Sequence, residues 1–346
     1  MIGIVSHDGD IHASAIRAEL YRLGGEYRML DTAHIPIDAT LTLEYGSHVD
    51  PYSGRGWAAR WHEASTGAPV EPGDLSELRA MWWRRPQPYQ VSPGIGSTQD
   101  RFFAAGECDA AVTGMWACLD ATWVNSPDLD VIAGRKPYQL KLATEDGWRI
   151  PRTCITNDPT TAREFAAAER GRGCRVIYKP FSGTPQTWRE TRLLGRDGEA
   201  QLDLVRLAPV IFQEAIPGGV DIRVTIVGER IFAAEIRPSG TAAEFDFRIE
   251  PEAPIVEHRL PDEVMERLRT LMRRLGLFYG AVDLRLAPNG EYVFLEVNPA
   301  GQWLFVEVAT GQTISTALAE LLMSMEHAHT ISRSRSRSGA QRTVLA

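Results

Sequence analysis

Three oxygen-bearing side chains in the last quarter of the chain, Asp283, Glu296 and Asn298, have the types and spacing of a site for a hard cation. They lie within Gly280-Ala-Val-Asp-Leu-Arg-Leu-Ala-Pro-Asn-Gly-Glu-Tyr-Val-Phe-Leu-Glu-Val-Asn-Pro299, which reads as two strands joined by a turn. The Asn289-Gly290 dipeptide predicts a two-residue type I′ turn, because both central residues of that turn need φ > 0. That loop pairs Leu286 with Val293, Leu284 with Leu295 and Asp283 with Glu296. Strand alternation then gathers Asp283, Glu296 and Asn298 on one face, and Val282, Leu284, Leu286, Leu295 and Val297 on an apolar face. Two carboxylates facing each other across a ladder repel. A cation between them, or a proton on one of them, relieves the repulsion. An all-oxygen donor set suits Mg²⁺, which usually also coordinates substrate phosphates. The alternative at this point is a charged hairpin face turned to solvent.

Cationic side chains that could meet a phosphate occur upstream. Lys136 precedes a helix, and Lys179 closes the apolar strand Arg175-Val-Ile-Tyr-Lys179 just before Pro180-Phe-Ser-Gly-Thr-Pro185. A lysine so presented can neutralise phosphate oxygens as a point charge, although a surface lysine at a strand end has the same local pattern. Two further strands, Val220–Val227 and Arg230–Arg237, meet at Gly228-Glu229. Alternation puts Asp221, Arg223 and Thr225 on one face of the first, while Glu235 and Arg237 share a face of the second. Charged residues inside strands this apolar suggest a polar cleft, where an arginine fork can bind phosphate or carboxylate. Phe245-Asp-Phe-Arg248 is another aromatic and charged cluster.

The elements that must position these residues follow from periodicity. Residues 2–5 are a buried parallel strand, followed by a helix with Ala13, Ile16 and Leu20 at helical spacing and Gly24-Gly25 as its stop. His7 and His12 read as loop and helix-cap residues rather than metal ligands. Leu41 to Val70 alternates as hairpins, and Ala80 to Pro86 is a strand ending in Arg84-Arg85, which could bind an anion or anchor a loop. Residues 100–119 predict an amphipathic helix with Phe102, Phe103, Ala110, Met115 and Leu119 in the core. A helix with the stripe Val264, Leu268, Leu271 and Leu275 stops at Gly276, and another begins near Ile314. Ser332 to Ser338 is a low-complexity basic stretch, hence an expected disordered tail.

Composition bounds the classes. The 346 residues allow two or three domains, and 44% hydrophobic with 24% charged residues is ordinary for a soluble globular protein. A formal charge of −8 disfavours general nucleic-acid binding. Cys108, Cys118, Cys154 and Cys174 form no C-x-x-C pair, which fits reduced thiols in the cytoplasm. The sequence has no signal-peptide pattern and no run long enough to cross a membrane.

The order of these signals resembles the ATP-grasp superfamily, and within it the microviridin-type peptide ligases, or graspetide synthetases. The resemblance is carried by Asn125-Ser-Pro127, Lys136, Gly147 to Thr153, Tyr178 to Pro185, Gln213 to Arg223, Phe232 to Ile236, Phe245 to Arg248 and Leu295 to Trp303, so it covers nearly the whole chain up to about residue 327. It implies an α/β and α+β architecture: an N-terminal pre-ATP-grasp domain over 1–124, a central ATP-grasp subdomain over 125–207, a C-terminal one over 208–328 and a disordered basic tail over 329–346. By the resemblance, Lys136 and Lys179 contact nucleotide phosphates, and Ser182 and Gly183 belong to the cofactor-binding site. Glu214 and Ile216 sit at the adenine edge with Gln213 beside them, Ala215 and Asp221 belong to the cofactor-binding site, and Asp283, Glu296 and Asn298 hold Mg²⁺. Arg223 and Arg237 would screen an acyl phosphate or hold the acceptor carboxylate, with Asp246 and Arg248 orienting a peptide core. The implied reaction uses ATP and Mg²⁺ to activate an Asp or Glu side chain of a ribosomally made precursor peptide, leader plus core. A Ser, Thr or Lys side chain of that peptide then closes an ester or amide. Relatives also suggest a homodimer. The loop after Lys179 has Gly183 alone rather than a glycine-rich flap, a departure from ATP-grasp enzymes at large. Two rivals stay open: a RimK-like ligase joining two molecules, and a non-catalytic ATP-binding protein.

Overall fold

The apolar run Ile2–Val5 becomes β1, one of two inner strands of a parallel sheet, in a computed structural model that describes residues 1–50, 55–63, 73–181, 191–237, 250 and 252–343. Helix α1 (Ile11–Leu23) starts on Asp10, whose carboxylate accepts the His12 N–H, and stops at Gly24, where φ is 76°. Then come β2 (Tyr27–Leu30), β3 (Ala39–Asp50), β4 (Arg55–Glu63), β5 (Gly73–Asp74), β6 (Ala80–Trp83), α2 (Thr98–Cys118) and β7 (Thr122–Val124). The parallel sheet runs β2-β1-β6-β7, and β3, β4 and β5 form an antiparallel sheet. Trp61 and Trp116 stack at 6.1 Å in the core of this part. Helix α2 differs from expectation: Met115 and Leu119 are buried, but Phe102, Phe103 and Ala110 are exposed. Only Val112, Met115 and Trp116 of α2 are fully covered, because the core it packs on reaches no further than its C-terminal half.

The chain divides into two compact units, Met1–Pro127 with Thr313–Ala346, and Asp128–Gln312. The second contains α3, which begins at the border (Pro127–Ala133), α4 (Lys136–Glu145), β8 (Thr153–Thr156), α5 (Pro159–Gly171), β9 (Val176–Lys179), β10 (Arg192–Leu193), α6 (Arg196–Ala200) and β11 (Val210–Glu214). It continues with β12 (Val220–Val227), β13 (Arg230–Ile236), β14 (Ile255–Glu257), α7 (Asp262–Leu275), β15 (Tyr279–Leu286), β16 (Tyr292–Asn298) and α8 (Leu304–Thr310). Two antiparallel sheets result, β10-β9-β11-β8 and β14-β13-β12-β15-β16. The expected division at 207/208 is corrected by this pairing: β11 lies beyond it yet bonds β8 and β9. The expected C-terminal subdomain also ends early. Helix α9 (Ile314–Thr343) groups with the first unit, where Thr316 Oγ1 donates to Glu19 at 2.8 Å. Its backbone stays helical through most of the expected disordered tail, a stretch rich in arginine, which is a good helix former.

The carboxylate hairpin pairs Asp283 with Glu296 as the alternation requires, but the rest of its register differs. Leu284 faces Phe294, Arg285 faces Val293 and Leu286 faces Tyr292, with a bulge beside Asp283. The loop is longer than two residues. Gly290 N–H donates to Ala287 O at 2.9 Å, Ala287 N–H to Glu291 O at 2.9 Å, and Gly290 alone takes positive φ, 83°. Pro288 pre-sets the second position of an ordinary turn, and the left-handed glycine closes it. The slip puts Phe294, rather than Leu295, into the core with Val282, Leu284, Val297 and Trp148. Phe294→Ala is therefore expected to cost about 3–5 kcal/mol in denaturant unfolding, and Leu295→Ala less than half as much. Equal costs would contradict the bulge.

Candidate active site

Strands β12, β15 and β16 align Arg223, Asp283 and Glu296 in one cross-strand row. Arg223 is buried, and its Nη1 donates to Asp283 Oδ1 at 2.8 Å while Nη2 donates to the Gln302 carbonyl at 2.9 Å. Burial opposes its charge, but Asp283 more than compensates and holds the guanidinium pKa above its usual value. At the other end, the first residue of α4, Lys136, pairs through Nζ with Glu296 Oε2. Each facing carboxylate thus has its own cation. Asn298 continues the same face at the exposed end of β16, and its Oδ1 accepts the Ala300 N–H at 3.0 Å. An amide oxygen has two lone pairs, so that bond leaves it able to bind a cation.

The backbone is built around this row. A Cβ at Gly301 would lie 2.3 Å from Ala281 Cβ and 2.9 Å from Arg223 Nη2, so only glycine lets the loop after β16 cover the guanidinium. Tyr279 Oη holds that loop by donating to the Gly301 carbonyl at 2.8 Å. The outer edge of β16 is closed from the side. Buried Gln139 on α4 accepts the Val297 N–H at 3.0 Å and donates to the Val297 carbonyl at 2.7 Å. The Phe294 N–H donates to the Arg149 carbonyl at 2.8 Å. One step along the same face stands a second cross-strand pair of inverted polarity, Asp221 with Arg285, joined at 2.8 Å.

The other expected residues fall as follows. Lys179 is half-buried at the end of β9, opposite Ile211. Gln213 donates to Thr153 Oγ1 at 3.0 Å. Glu214, expected at an adenine edge, has a buried carboxylate whose two oxygens both accept from Arg149 Nη2 at 3.0 Å, with Arg152 at 3.3 Å, so its side chain is committed to a structural ion network. Arg152 also holds the buried Glu169, which keeps that carboxyl below its usual pKa. Ala215 is buried, with its N–H on the Arg175 carbonyl, and Ile216 is half-buried. Arg237 does not join the row. Glu235 pairs with Ile222 and Ala234 with Arg223, so Glu235 lies on the face opposite Arg223, and exposed Arg237 bonds to Glu235 at 2.6 Å. Ser182, Gly183, Asp246 and Arg248 lie outside the described residues.

Among the described residues no group of three His, Cys, Asp or Glu could hold a metal by itself. The donor set of Asp283, Glu296 and Asn298 still fits Mg²⁺, a hard ion bound through one or two carboxylates plus phosphate oxygens. Sequence reading missed Gln139 and Arg285. Arg285 carried a signal, a charge two residues past Asp283 in an apolar strand, whereas Gln139 looks like any polar helix residue. Gln139→Ala strands the buried polar groups of Val297 between two candidate ligands. It should lower unfolding free energy by about 1–3 kcal/mol for each group left unpaired, and a loss under about 0.5 kcal/mol would remove Gln139 from this role.

No family model matches the chain. It is 26% identical over 198 residues to a probable alpha-L-glutamate ligase of Teredinibacter turnerae, covering 56% of this chain and 64% of that protein, so it spans less than two thirds of that curated relative's length. Solved structures match more of it. The macrocyclase MdnC from Microcystis aeruginosa MRC, crystallised with precursor peptide MdnA, is 27% identical with a TM-score of 0.79, over 93% of this chain and 99% of that one. The ATP-grasp ligase PsnB, complexed with minimal precursor, Mg and ADP, is 25% identical with a TM-score of 0.72, over 94% and 97%. By fold and by likeness over nine tenths of its length, the chain is similar to the ATP-grasp ligases, among them the macrocyclase MdnC and the ligase PsnB.

Proposed function

We propose that this chain is an ATP-dependent macrocyclase of a ribosomally made precursor peptide, acting in the cytoplasm. The observation that carries the proposal is the likeness to MdnC, a macrocyclase bound to its precursor peptide, across 93% of this chain. The charge row supplies the chemistry. An Asp or Glu side chain of the peptide attacks the γ-phosphorus of ATP, ADP leaves, and an acyl phosphate forms. A Ser or Thr hydroxyl or a Lys amine of the same peptide then attacks the acyl carbon, and inorganic phosphate leaves. The first step brings anions together, so positive charge and positioning must supply most of the rate. Mg²⁺ held by Asp283, Glu296 and Asn298 would spread the charge of the phosphates. Lys136 and Lys179 bind phosphate oxygens as point charges. Arg223 orients Asp283 through its hydrogen bond to Oδ1. Asp246 and Arg248 remain candidates for holding the peptide core.

A second reading, ligation of glutamate to another molecule, is favoured by the name of the curated relatives. It uses the same acyl phosphate and differs in the acceptor. Incubation with Mg-ATP and short acidic, Ser/Thr/Lys-containing peptides encoded beside the gene should give mass loss of one water per link. Mass gain with free glutamate would select the second reading. Asp283→Asn and Glu296→Gln should each lower ATP turnover by at least about 100-fold, and retained turnover in both would defeat the metal assignment. Lys179→Ala should weaken ADP affinity in calorimetry by roughly tenfold, and unchanged affinity would count against its phosphate role.

A further inference from the structure

Arg285 stands one step along the sheet from the carboxylates assigned to the metal and is bonded both to the segment after β11 and to β12. It follows Asp283 by two residues on β15, on the same face, and is 5% exposed. Its Nε donates to the Ile216 carbonyl at 2.8 Å and its Nη1 to Asp221 Oδ1 at 2.8 Å. Ile216 lies two residues past the end of β11, which belongs to the other antiparallel sheet. A single guanidinium therefore ties the end of β11 to the β12–β15 ladder that carries Arg223 and Asp283.

The chain is shaped to admit this tie. Gly218 takes φ of 67°, as the turn before β12 requires, but Gly219 does not have positive φ and is glycine for another reason. A Cβ there would come within 2.7 Å of the Leu286 carbonyl, 3.1 Å of Arg285 Cγ and 3.2 Å of Arg285 Nε. The empty side of Gly219 is the channel through which Arg285 reaches Ile216. Only arginine presents two donors in a rigid fork; lysine offers a single ammonium on a flexible stem. A separate tie, from Arg149 to Glu214, also joins the two regions, so loss of the Arg285 contact need not part the sheets.

Resting on the proposed ATP chemistry, we infer that Arg285 is a positioning residue that sets the distance between the base-binding end of β11 and the carboxylates that hold the phosphates through metal. A nucleotide spans both ends of that distance, whereas a base-free polyphosphate meets only the carboxylate end. Misplacement of about 1 Å can cost as much as 100-fold.

The test compares Mg-ADP with Mg-tripolyphosphate by calorimetry for wild type, Arg285→Lys and Gly219→Ala, with the KM for ATP and kcat measured beside them. The expected result is a roughly ten- to 100-fold loss of Mg-ADP affinity in both variants, with tripolyphosphate affinity unchanged and the KM raised more than kcat falls. Gly219→Ala displaces the side chain without deleting its charge, so it tests the geometry even if Arg285→Lys folds poorly. Equal weakening of both ligands, or wild-type Mg-ADP affinity in the variants, overturns the inference alone. A wild-type chain that binds no Mg-ADP overturns the proposed function and this inference with it.

Discussion

Two carboxylates forced to face each other across a ladder are the constraint on which the rest of this site depends. Asp283 and Glu296 are directly opposed on β15 and β16, where like charges destabilise a sheet. The fold answers by giving each its own cation from a different direction, Arg223 from the neighbouring strand and Lys136 from the start of α4. The dependence runs both ways. Arg223 is buried, and a buried charge without a partner costs more than its pair contributes. Arg223 and Asp283 therefore require each other, and only Glu296 and Asn298 stand at the open end of the row.

The surrounding backbone preserves this order by leaving little freedom. A bulge lets Asp283 and Glu296 stay opposite while the strand beyond shifts to fill the core with Phe294. Gln139 and the Arg149 carbonyl close the edge of β16 on both sides of Glu296, so the edge offers fewer unpaired groups to another strand. Asp221 with Arg285 repeats the cross-strand pairing with its polarity reversed, which places unlike charges next to one another both along and across the strands. A one-residue slip would exchange these pairs for clashes and turn Val282 and Leu284 to the polar side.

What was legible in the sequence follows from the range of the interaction involved. Strand alternation alone brought Asp283, Glu296 and Asn298 to one face, and the glycine stops of α1 and α7 were local signals. The hairpin loop is longer than Asn289-Gly290 alone predicts because Pro288 before it fixes a negative φ, so the turn is built from Ala287 to Gly290. The resemblance gives Arg237 the same role as Arg223, although the tight turn at Gly228-Glu229 already implies the pairing of Val227 with Arg230. Counting back from that pair sets Glu235, and with it Arg237, on the other face. The commitment of Glu214 was not legible at all, since its partners Arg149 and Arg152 are remote in sequence and near only after β8 and β11 pair. Helix α2 failed as an amphipathic pattern because a run with alanine, glycine and paired phenylalanines does not mark which turns the core reaches.

Arginine and lysine divide the work of the site in a way their chemistry explains. Arg223, Arg285 and Arg149 each bind two or more fixed groups, carboxylate oxygens and backbone carbonyls, in directions a planar fork can satisfy at once. They are framework: a substituted lysine could keep the charge but not both bonds. Lys136 and Lys179 stand instead where elements begin or end, half-buried, at the first residue of α4 and the last of β9. A compact ammonium on a flexible stem can exchange a carboxylate for a phosphate oxygen without moving the backbone that carries it. The rigid cations hold the carboxylates in register, and in the proposed reaction the lysines on their flexible stems would follow a ligand whose charge and position change.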